Sequence, residues 1–200
     1  MIASVERLTA FVLAGGKSSR MGQDKAFLSW GQGTLLANAM KLAGNVAASV
    51  YIVGDTAKFG GYGSVVEDVY RDRGPLGGIH AALSRSTTEL NLMLAVDLPL
   101  LKAEFLVYLV VRAQESGATV TVPVTANGSQ PLCAVYRREF ASVAEQSLRE
   151  GKNKINPLFA RVSTRMVQEQ ELLEQGFPTG MFRNLNTPEE LEEARRDLTG

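Results

Sequence analysis

A glycine-rich segment, Leu13 to Lys25, carries the residues whose types and spacing most strongly suggest chemistry. It follows a short apolar run, Leu8 to Ala14, which predicts a buried strand that enters a tight loop. Gly15 and Gly16 allow the backbone to approach a ligand closely, and exposed N–H groups in such a loop can hold phosphate oxygens. Ligands of open α/β sheets bind just past the carboxyl ends of the strands, so we expect a phosphate site here.

Two cations of this segment, Arg20 and Lys25, supply the positive charge that a triphosphate requires. Two better-known phosphate loops are excluded. The P-loop pattern needs a glycine five residues before Gly16, and this sequence has Phe11 there. The dinucleotide fingerprint starts at Gly31 but has leucine at its third glycine position. The segment therefore indicates a triphosphate site of another kind, with Arg20 and Lys25 as catalytic candidates.

Asp97 is the second chemical candidate, because it follows a largely apolar run, Leu90 to Val96, that predicts a strand buried on both faces. Its carboxylate should emerge at the same sheet edge as the glycine-rich segment. Mg²⁺ bound to phosphates typically takes one or two carboxylates and keeps several waters. We therefore expect Asp97 to bind a metal ion and to be catalytic.

A third signal joins Glu67-Asp68 to a glycine–proline turn at Gly74-Pro75. Acidic side chains there could accept hydrogen bonds from the N–H groups of a guanine or from a ribose hydroxyl. The same residues could equally form a charged connection that only turns the chain. The residues alone leave both interpretations open.

The elements that must position these residues alternate along the chain, which predicts a mostly parallel sheet covered by helices on both faces. The expected class is therefore a three-layer α/β/α, Rossmann-like fold in one domain spanning residues 1–200. Predicted strands are Leu8–Ala14, Ser49–Val53, Ser64–Glu67, Leu90–Val96, Ala118–Val124 and Leu132–Tyr136. Predicted helices are Leu35–Val46, Leu76–Leu83, Ala103–Glu115, Arg137–Arg149 and Pro188–Leu198.

Composition narrows the class of protein further. Lys plus Arg and Asp plus Glu each number 21, so the net charge is zero, which disfavours a dedicated nucleic-acid binder. One cysteine cannot form an intrachain disulfide, and the apolar runs are too short to span a membrane. The N-terminal residues lack the apolar core of a signal peptide. We expect a cytoplasmic protein that binds neither nucleic acid nor membrane.

Taken together, the motifs resemble those of the molybdenum cofactor guanylyltransferases, within the wider group of nucleotide-diphospho-sugar transferase folds. They occur in the order typical of that family across nearly the whole chain. The first motif alone indicates a nucleotidyltransferase, and the glycine–proline and late asparagine segments narrow the resemblance to this family. The matching segments are Leu13 to Lys25, Glu67-Asp68, Gly74 to Ile79, Asp97 to Pro99, Gln130 to Leu132 and Asn184 to Pro188.

The resemblance implies site residues by motif position. Arg20 would contact phosphates, and Asp97 would bind nucleotide-associated Mg²⁺, for which Mn²⁺ could substitute. The family often has asparagine after the second strand, where this sequence has Gly54, so that contact would be lost or moved to the backbone. The residues implied to bind GTP are Leu13, Ala14, Gly15, Gly16, Lys25, Asp68, Gly77 and Asp97. Those implied on the molybdopterin side are Gln130, Asn184 and Asn186.

The implied reaction is transfer of GMP from GTP to molybdopterin, with release of pyrophosphate. The terminal phosphate of molybdopterin is already an oxyanion, so no general base is needed, which fits the lack of a nucleophilic serine–histidine pair. The protein must screen two anions and align them in line. Proteins that make or insert the molybdenum cofactor are candidate partners.

Two alternatives remain open at this stage. A related enzyme could use CTP, or a sugar or alditol phosphate as acceptor. A protein of another class could have kept the nucleotide pocket as an adaptor without turnover. The joint presence of Arg20, Lys25 and Asp97 argues against the adaptor, because binding alone does not need the full set.

Overall fold

A computed structural model describes residues 8–15, 24–185 and 187–199. Its main sheet has the strand order β10-β7-β9-β6-β1-β4-β5, with β8 paired to β7. The strands are β1 Leu8–Leu13, β4 Ser49–Val53, β5 Val65–Val66, β6 Leu90–Ala95, β7 Val120–Thr125, β8 Gly128–Ser129, β9 Cys133–Arg137 and β10 Thr164–Val167. A small hairpin, β2 Ser29–Trp30 with β3 Gly33–Thr34, stands apart from it.

The central strands are parallel: β1 pairs with β4 on one side and with β6 on the other. In the described part of the sheet, β9 interrupts the parallel pattern, because it runs antiparallel to both β6 and β7. The carboxyl ends of β1, β4 and β6 therefore meet at one edge, as expected for ligand binding in an open α/β sheet.

Helices cover both faces of the sheet, and alternation along β1 shows why. Leu8, Ala10 and Val12 belong to one buried cluster, whereas Phe11 belongs to the other. One cluster includes residues of α1 Leu35–Gly44, α4 Ala103–Ser116, α6 Glu169–Glu174 and α7 Pro188–Thr199, and the other those of α3 Pro75–Arg85 and α5 Phe140–Arg149. A one-turn helix, α2 Thr56–Phe59, follows β4. The predicted three-layer α/β/α class is confirmed.

Helix α7 begins as its sequence predicts. The backbone N–H of Glu190 donates to Thr187 Oγ1 at 3.2 Å, and the Glu190 carboxylate accepts from the N–H of Thr187 at 3.1 Å. This reciprocal capping box satisfies two backbone donors at the start of the helix.

Within the described ranges, no helix combines the length and apolar character needed to cross a membrane.

The sequence-based assignment missed several short elements. Edge strand β10 has a single buried residue, Val167, so it lacks the apolar run of a central strand. Helix α2 has four residues, too few to show a helical period. Conversely, the predicted strand Ser64–Glu67 shrinks to the two residues of β5. Periodicity identifies the long central elements but not these short ones.

Candidate active site

A cleft of about 620 Å³ opens at the carboxyl ends of β1, β4 and β6. Parallel pairing brings these three ends together, and the start of α3 closes one side through Gly74, Pro75 and Gly78. Five of the residues predicted to bind nucleotide line it: Leu13, Gly15, Lys25, Asp68 and Asp97. Residues up to 84 positions apart in sequence thus line the same cleft, as expected if ligands bind where the parallel strands end.

An ion pair joins the two predicted catalytic residues, since Lys25 Nζ donates to Asp97 Oδ2. Asp97 lies in the turn after β6 and is buried, and the N–H of Val96 donates to the Leu13 carbonyl at 3.3 Å. Lys25 begins a 3₁₀ turn, Lys25–Phe27, that Asp24 caps by accepting from the Ala26 N–H at 2.9 Å. Local capping and strand pairing therefore bring a cation and a carboxylate together inside the cleft.

The backbone at the start of the glycine-rich segment differs from the expected phosphate cradle. The N–H groups of Ala14 and Gly15 both donate to the Val53 carbonyl, at 3.1 and 3.0 Å. Ala14 is also buried. These two donors hold β1 to β4 and do not point to a ligand, which corrects the expectation for this part of the loop. Gly16 and Arg20 lie outside the described residues.

Asp68 differs from Asp97 in its surroundings. Its side chain is half-buried, and Oδ1 is shielded from solvent without a hydrogen-bond partner among the described residues. Desolvation by burial raises the pKa of the Asp68 carboxyl. A buried acceptor left without a donor is costly, so this carboxyl is suited to take an N–H or O–H group from a ligand.

Two glycines of α3 lie against the segment that carries Asp68, and at Gly77 the backbone of that segment leaves no room for a side chain. A Cβ on Gly77 would lie 2.9 Å from the Tyr70 carbonyl oxygen, and one on Gly78 would lie 3.5 Å from Asp68 Oδ1. Both glycines are buried, and Gly78 also lines the cleft. The nucleotide contact expected of Gly77 stays a prediction. The start of α3 faces the cleft, and a helix N-terminus favours ligand oxygens that carry negative charge.

Gly54, the position where the resemblance implies asparagine, is packed against an aromatic ring. A Cβ there would lie 2.7 Å from the Phe59 ring, and the glycine also approaches Gly15. Gly54 lines a smaller cavity of about 440 Å³ that shares Gly15, Asp68 and Asp72 with the cleft. Phe59 therefore fills the space that a larger side chain at position 54 would need.

A second cavity of about 610 Å³ lies beside the cleft and contains two of the residues expected on the molybdopterin side, Gln130 and Asn184. The N–H of Leu185 donates to the Asp97 carbonyl at 3.0 Å, which ties this segment to the cleft. Asn186 lies outside the described residues. Sequence reasoning missed other polar residues that line the cavity, such as Thr125, Asn127 and Glu169, and the polar turn at 126–129 is the signal that could have drawn attention to two of them.

Among the described residues, no group of three or more His, Cys, Asp or Glu side chains could hold a metal by itself. Asp68, Asp72 and Asp97 all line the cleft, and Asp97 is the predicted metal ligand, paired there with Lys25. One carboxylate fits Mg²⁺ that takes its other ligands from phosphates and water, but not a metal held by protein alone. A metal at Asp97 would thus take its other ligands from a bound nucleotide and water.

The family model of the MobA-like NTP transferase domain matches residues 10–168. The chain belongs to the MobA-like NTP transferase family. The match covers most of β1, the residues that line the cleft and both candidate carboxylates. The family predicted from the motifs is therefore confirmed, and with it the assignment as a nucleotidyltransferase.

Relatives of this MobA-like chain agree with that family. The probable molybdenum cofactor guanylyltransferase of Pelotomaculum thermopropionicum is 36% identical over 94% of this chain and 91% of its own. The molybdopterin-guanine dinucleotide biosynthesis protein A of Archaeoglobus fulgidus superposes with a TM-score of 0.82 at 23% identity, over 96% and 98% of the two chains.

Like the Archaeoglobus structure, two other solved structures show the shared fold. The 4-diphosphocytidyl-2C-methyl-D-erythritol synthase of Anaerococcus prevotii has a TM-score of 0.71 at 11% identity, over 100% and 99% of the chains. A Mycobacterium tuberculosis protein, solved in complex with manganese, has a TM-score of 0.58 at 17% identity, over 81% and 87%. The architecture therefore extends to a protein whose name indicates a cytidylyl compound.

Proposed function

We propose that this chain is a molybdenum cofactor guanylyltransferase, which transfers GMP from GTP to molybdopterin and releases pyrophosphate. The observation that carries the proposal is the Lys25–Asp97 ion pair, inside a cleft that Asp68 shares and beside a second polar cavity. In this proposal the cleft binds the nucleotide, and the second cavity binds the acceptor.

The reaction needs little covalent chemistry from the protein. An oxygen of the terminal phosphate of molybdopterin attacks the α-phosphorus of GTP, and a new P–O bond forms as the bond to the β-phosphate oxygen breaks. Pyrophosphate leaves with the electron pair, and no proton has to be removed from the nucleophile. Catalysis therefore rests on alignment of the two substrates and on compensation of their negative charge.

Lys25 is placed to provide that compensation. Its ammonium group lies in the cleft beside Asp97, and its side chain is one-quarter exposed, so water screens it only in part. Arg20 is proposed as a second cation on the phosphates. Asp97 would hold Mg²⁺, which when bound neutralises phosphate charge and orients the leaving group. Manganese is a proposed substitute.

The guanine or ribose is proposed to bind at the Asp68 side of the cleft. The unpartnered Oδ1 of Asp68 can accept from guanine N–H groups or from a ribose hydroxyl. Leu13 and Gly15 line the same space with small or apolar surface. We propose that Ala14, Gly16 and Gly77 complete this part of the site, as motif position implies, with Ala14 contributing by packing because its N–H group is bonded to the Val53 carbonyl.

The acceptor is proposed to occupy the second cavity. Gln130 and Asn184 line it, and we propose that they and Asn186 contact molybdopterin. The hydrogen bond from the Leu185 N–H to the Asp97 carbonyl would fix the position of the acceptor cavity relative to the site of transfer. We further propose that one cytoplasmic domain does all of this, and that proteins that make or insert the cofactor exchange substrate and product with it.

A nucleotide panel tests the nucleotide side of this function. The melting temperature is measured with Mg²⁺ and each of GTP, CTP, ATP and UTP, because a ligand stabilises the fold that binds it. At 100 times its dissociation constant a ligand adds about 2.7 kcal/mol, which is a shift of several degrees. We expect GTP to give the largest shift. If CTP stabilised the protein and GTP did not, the proposed activity would be cytidylyl transfer and not guanylyl transfer.

A further inference from the structure

A short helix outside the cleft is tied to the residue that precedes Lys25. Helix α2, Thr56–Phe59, follows β4, and its Lys58 forms an ion pair with Asp24 Oδ2 across 34 positions of sequence. The Asp24 side chain is 12% exposed and that of Lys58 is 37% exposed. The pair is therefore better shielded than an ordinary surface salt bridge, for which solvent screening leaves little net attraction.

Asp24 uses its other carboxylate oxygen for a different purpose. Its Oδ1 accepts from the Ala26 N–H at 2.9 Å and so caps the 3₁₀ turn that begins at Lys25. Rotation of the Asp24 carboxylate would break this cap or the ion pair with Lys58. The two contacts together fix the side chain, and with it the start of the turn that presents Lys25 to Asp97.

Helix α2 is itself a firm anchor. Phe59 is 1% exposed and packs against Phe27, the last residue of the same 3₁₀ turn, with ring centroids 5.7 Å apart. Tyr62 contacts Phe27 as well, at 5.2 Å. Asp55 caps the helix by accepting from the Ala57 N–H at 2.8 Å. The ion pair and the aromatic contacts thus join α2 to both ends of the turn that carries Lys25.

The start of α2 also reaches the other side of the cleft. The N–H of Thr56 donates to Glu67 Oε1 at 3.1 Å, and Glu67 directly precedes Asp68. One helical turn therefore contacts the segment that carries Lys25 and the segment that carries Asp68. Movement of α2 would affect both.

We propose that Lys58 is a positioning residue, which holds Lys25 at the phosphate-binding position through Asp24. Lys58 is not among the described residues that line the cleft, so it acts on the ligand through the turn and not by direct contact. The inference rests on the proposed function, because it takes Lys25 as the cation that binds the triphosphate.

A double-mutant cycle tests this role. The dissociation constant of Mg·GTP is measured for the wild-type protein, Lys58→Met, Lys25→Met and the double variant. We expect Lys58→Met to weaken binding about fivefold, which corresponds to about 1 kcal/mol and lies within the range of coupled neighbours. In the Lys25→Met background the same change should cost less than about twofold, since the residue that it positions is gone.

Two further variants separate positioning from general stability. Lys58→Arg keeps the charge that pairs with Asp24 and should restore binding to within about twofold of wild type. Lys41→Met removes an exposed lysine of α1 and should leave binding unchanged. If Lys58→Met does not remain folded, as judged by its melting temperature, Lys58→Gln takes its place in the cycle.

The outcomes separate this inference from the proposed function. Failure of the wild-type protein to bind Mg·GTP would overturn the proposed function. Wild-type binding that Lys58→Met leaves intact would overturn the positioning role alone. An equal loss from Lys58→Met with and without Lys25 would overturn it too, because Lys58 would then not act through Lys25.

Discussion

Asp97 and Asp68 line the same cleft at opposite sides, yet their surroundings contrast. Asp97 is paired with Lys25 and follows a strand that is buried along its whole length. Asp68 leaves one oxygen without a hydrogen-bond partner among the described residues, and burial raises its pKa. The negative charge of Asp97 is thus balanced by Lys25, whereas Asp68 Oδ1 has no hydrogen-bond donor among the described residues.

The difference separates two tasks that the proposed reaction needs. A compensated carboxylate beside a cation suits phosphate and metal chemistry, where charges must be fixed before the substrates arrive. A carboxylate without a donor suits recognition, because a ligand that supplies an N–H or O–H group relieves the cost of its burial. We therefore expect substitution of Asp97 to reduce the turnover of the enzyme, and substitution of Asp68 to reduce its affinity for the nucleotide.

The largest expected effect comes from Asp97→Ala. Loss of one electrostatic contact to a developing charge typically costs 10²–10³-fold in kcat, and we expect a loss of at least about a hundredfold here. Pyrophosphate release measures it, and near-ultraviolet circular dichroism checks that the fold is intact. Near-wild-type Mg²⁺-dependent turnover in this variant would remove the catalytic role of Asp97.

Gly77→Ala should act on the Asp68 side through packing. Its Cβ would lie 2.9 Å from the Tyr70 carbonyl oxygen, so backbone must shift, and such overpacking costs about 1–3 kcal/mol. Denaturant unfolding measures the free energy. Gly44→Ala in α1 is the matched control, because nothing lies within 4 Å of its added Cβ and alanine favours a helix. Equal stability of Gly77→Ala and wild type would contradict the close packing.

Asp68→Asn should separate stability from binding. We expect GTP affinity to fall about tenfold, the cost of losing a hydrogen bond to a charged group. The raised pKa means that folding favours protonated Asp68 in the protein without nucleotide. Its contribution to stability is full below the ordinary value of 3.8 and is lost as the pH rises through the folded-state pKa.

The measurement for Asp68 is therefore the melting temperature against pH, with and without GTP. Without nucleotide, Asp68→Asn should be more stable than wild type at neutral pH, and the advantage should shrink toward acidic pH. With GTP at fixed concentration, the order should reverse. A variant that is destabilised without nucleotide at neutral pH would argue that Asp68 has a structural partner.

The smallest effect is expected at the second cavity. Asn184→Ala should raise the KM for molybdopterin about threefold to tenfold, because one amide contact of several is lost. The dissociation constant of GTP should stay unchanged, which distinguishes the two cavities. Asn153→Ala, an exposed asparagine in a different cavity, is the control. Weaker GTP binding in Asn184→Ala with an unchanged KM for molybdopterin would reverse the assignment of the cavities.

The core of this site was predictable from sequence for a physical reason. Strands β1 and β6 are buried and mostly apolar, and parallel strands share their carboxyl edge, so the glycine-rich segment and Asp97 were expected at one edge if both runs were strands. The resemblance then supplied the guanine and the pterin, which no periodicity could give.

The remaining contacts depend on side chains that local patterns do not specify. The pairing of Lys58 with Asp24 spans 34 positions and depends on a helix of four residues. The N–H groups of Ala14 and Gly15 look free in the sequence, but pairing with β4 uses both. Glu169 reaches the second cavity because β10 and α6 follow one another at the sheet edge, and neither element was recognised.

The most direct test of the central claim is the identity of the product. Wild-type protein is incubated with Mg²⁺, molybdopterin and an equimolar mixture of GTP and CTP. The pterin products are identified by mass spectrometry, and the released pyrophosphate is quantified in the same samples. We predict the guanine dinucleotide, with one pyrophosphate released per product and at least about a hundredfold slower release in the Asp97→Ala variant. A cytosine dinucleotide as the main product, or intact molybdopterin beside bound GTP, would contradict guanylyl transfer.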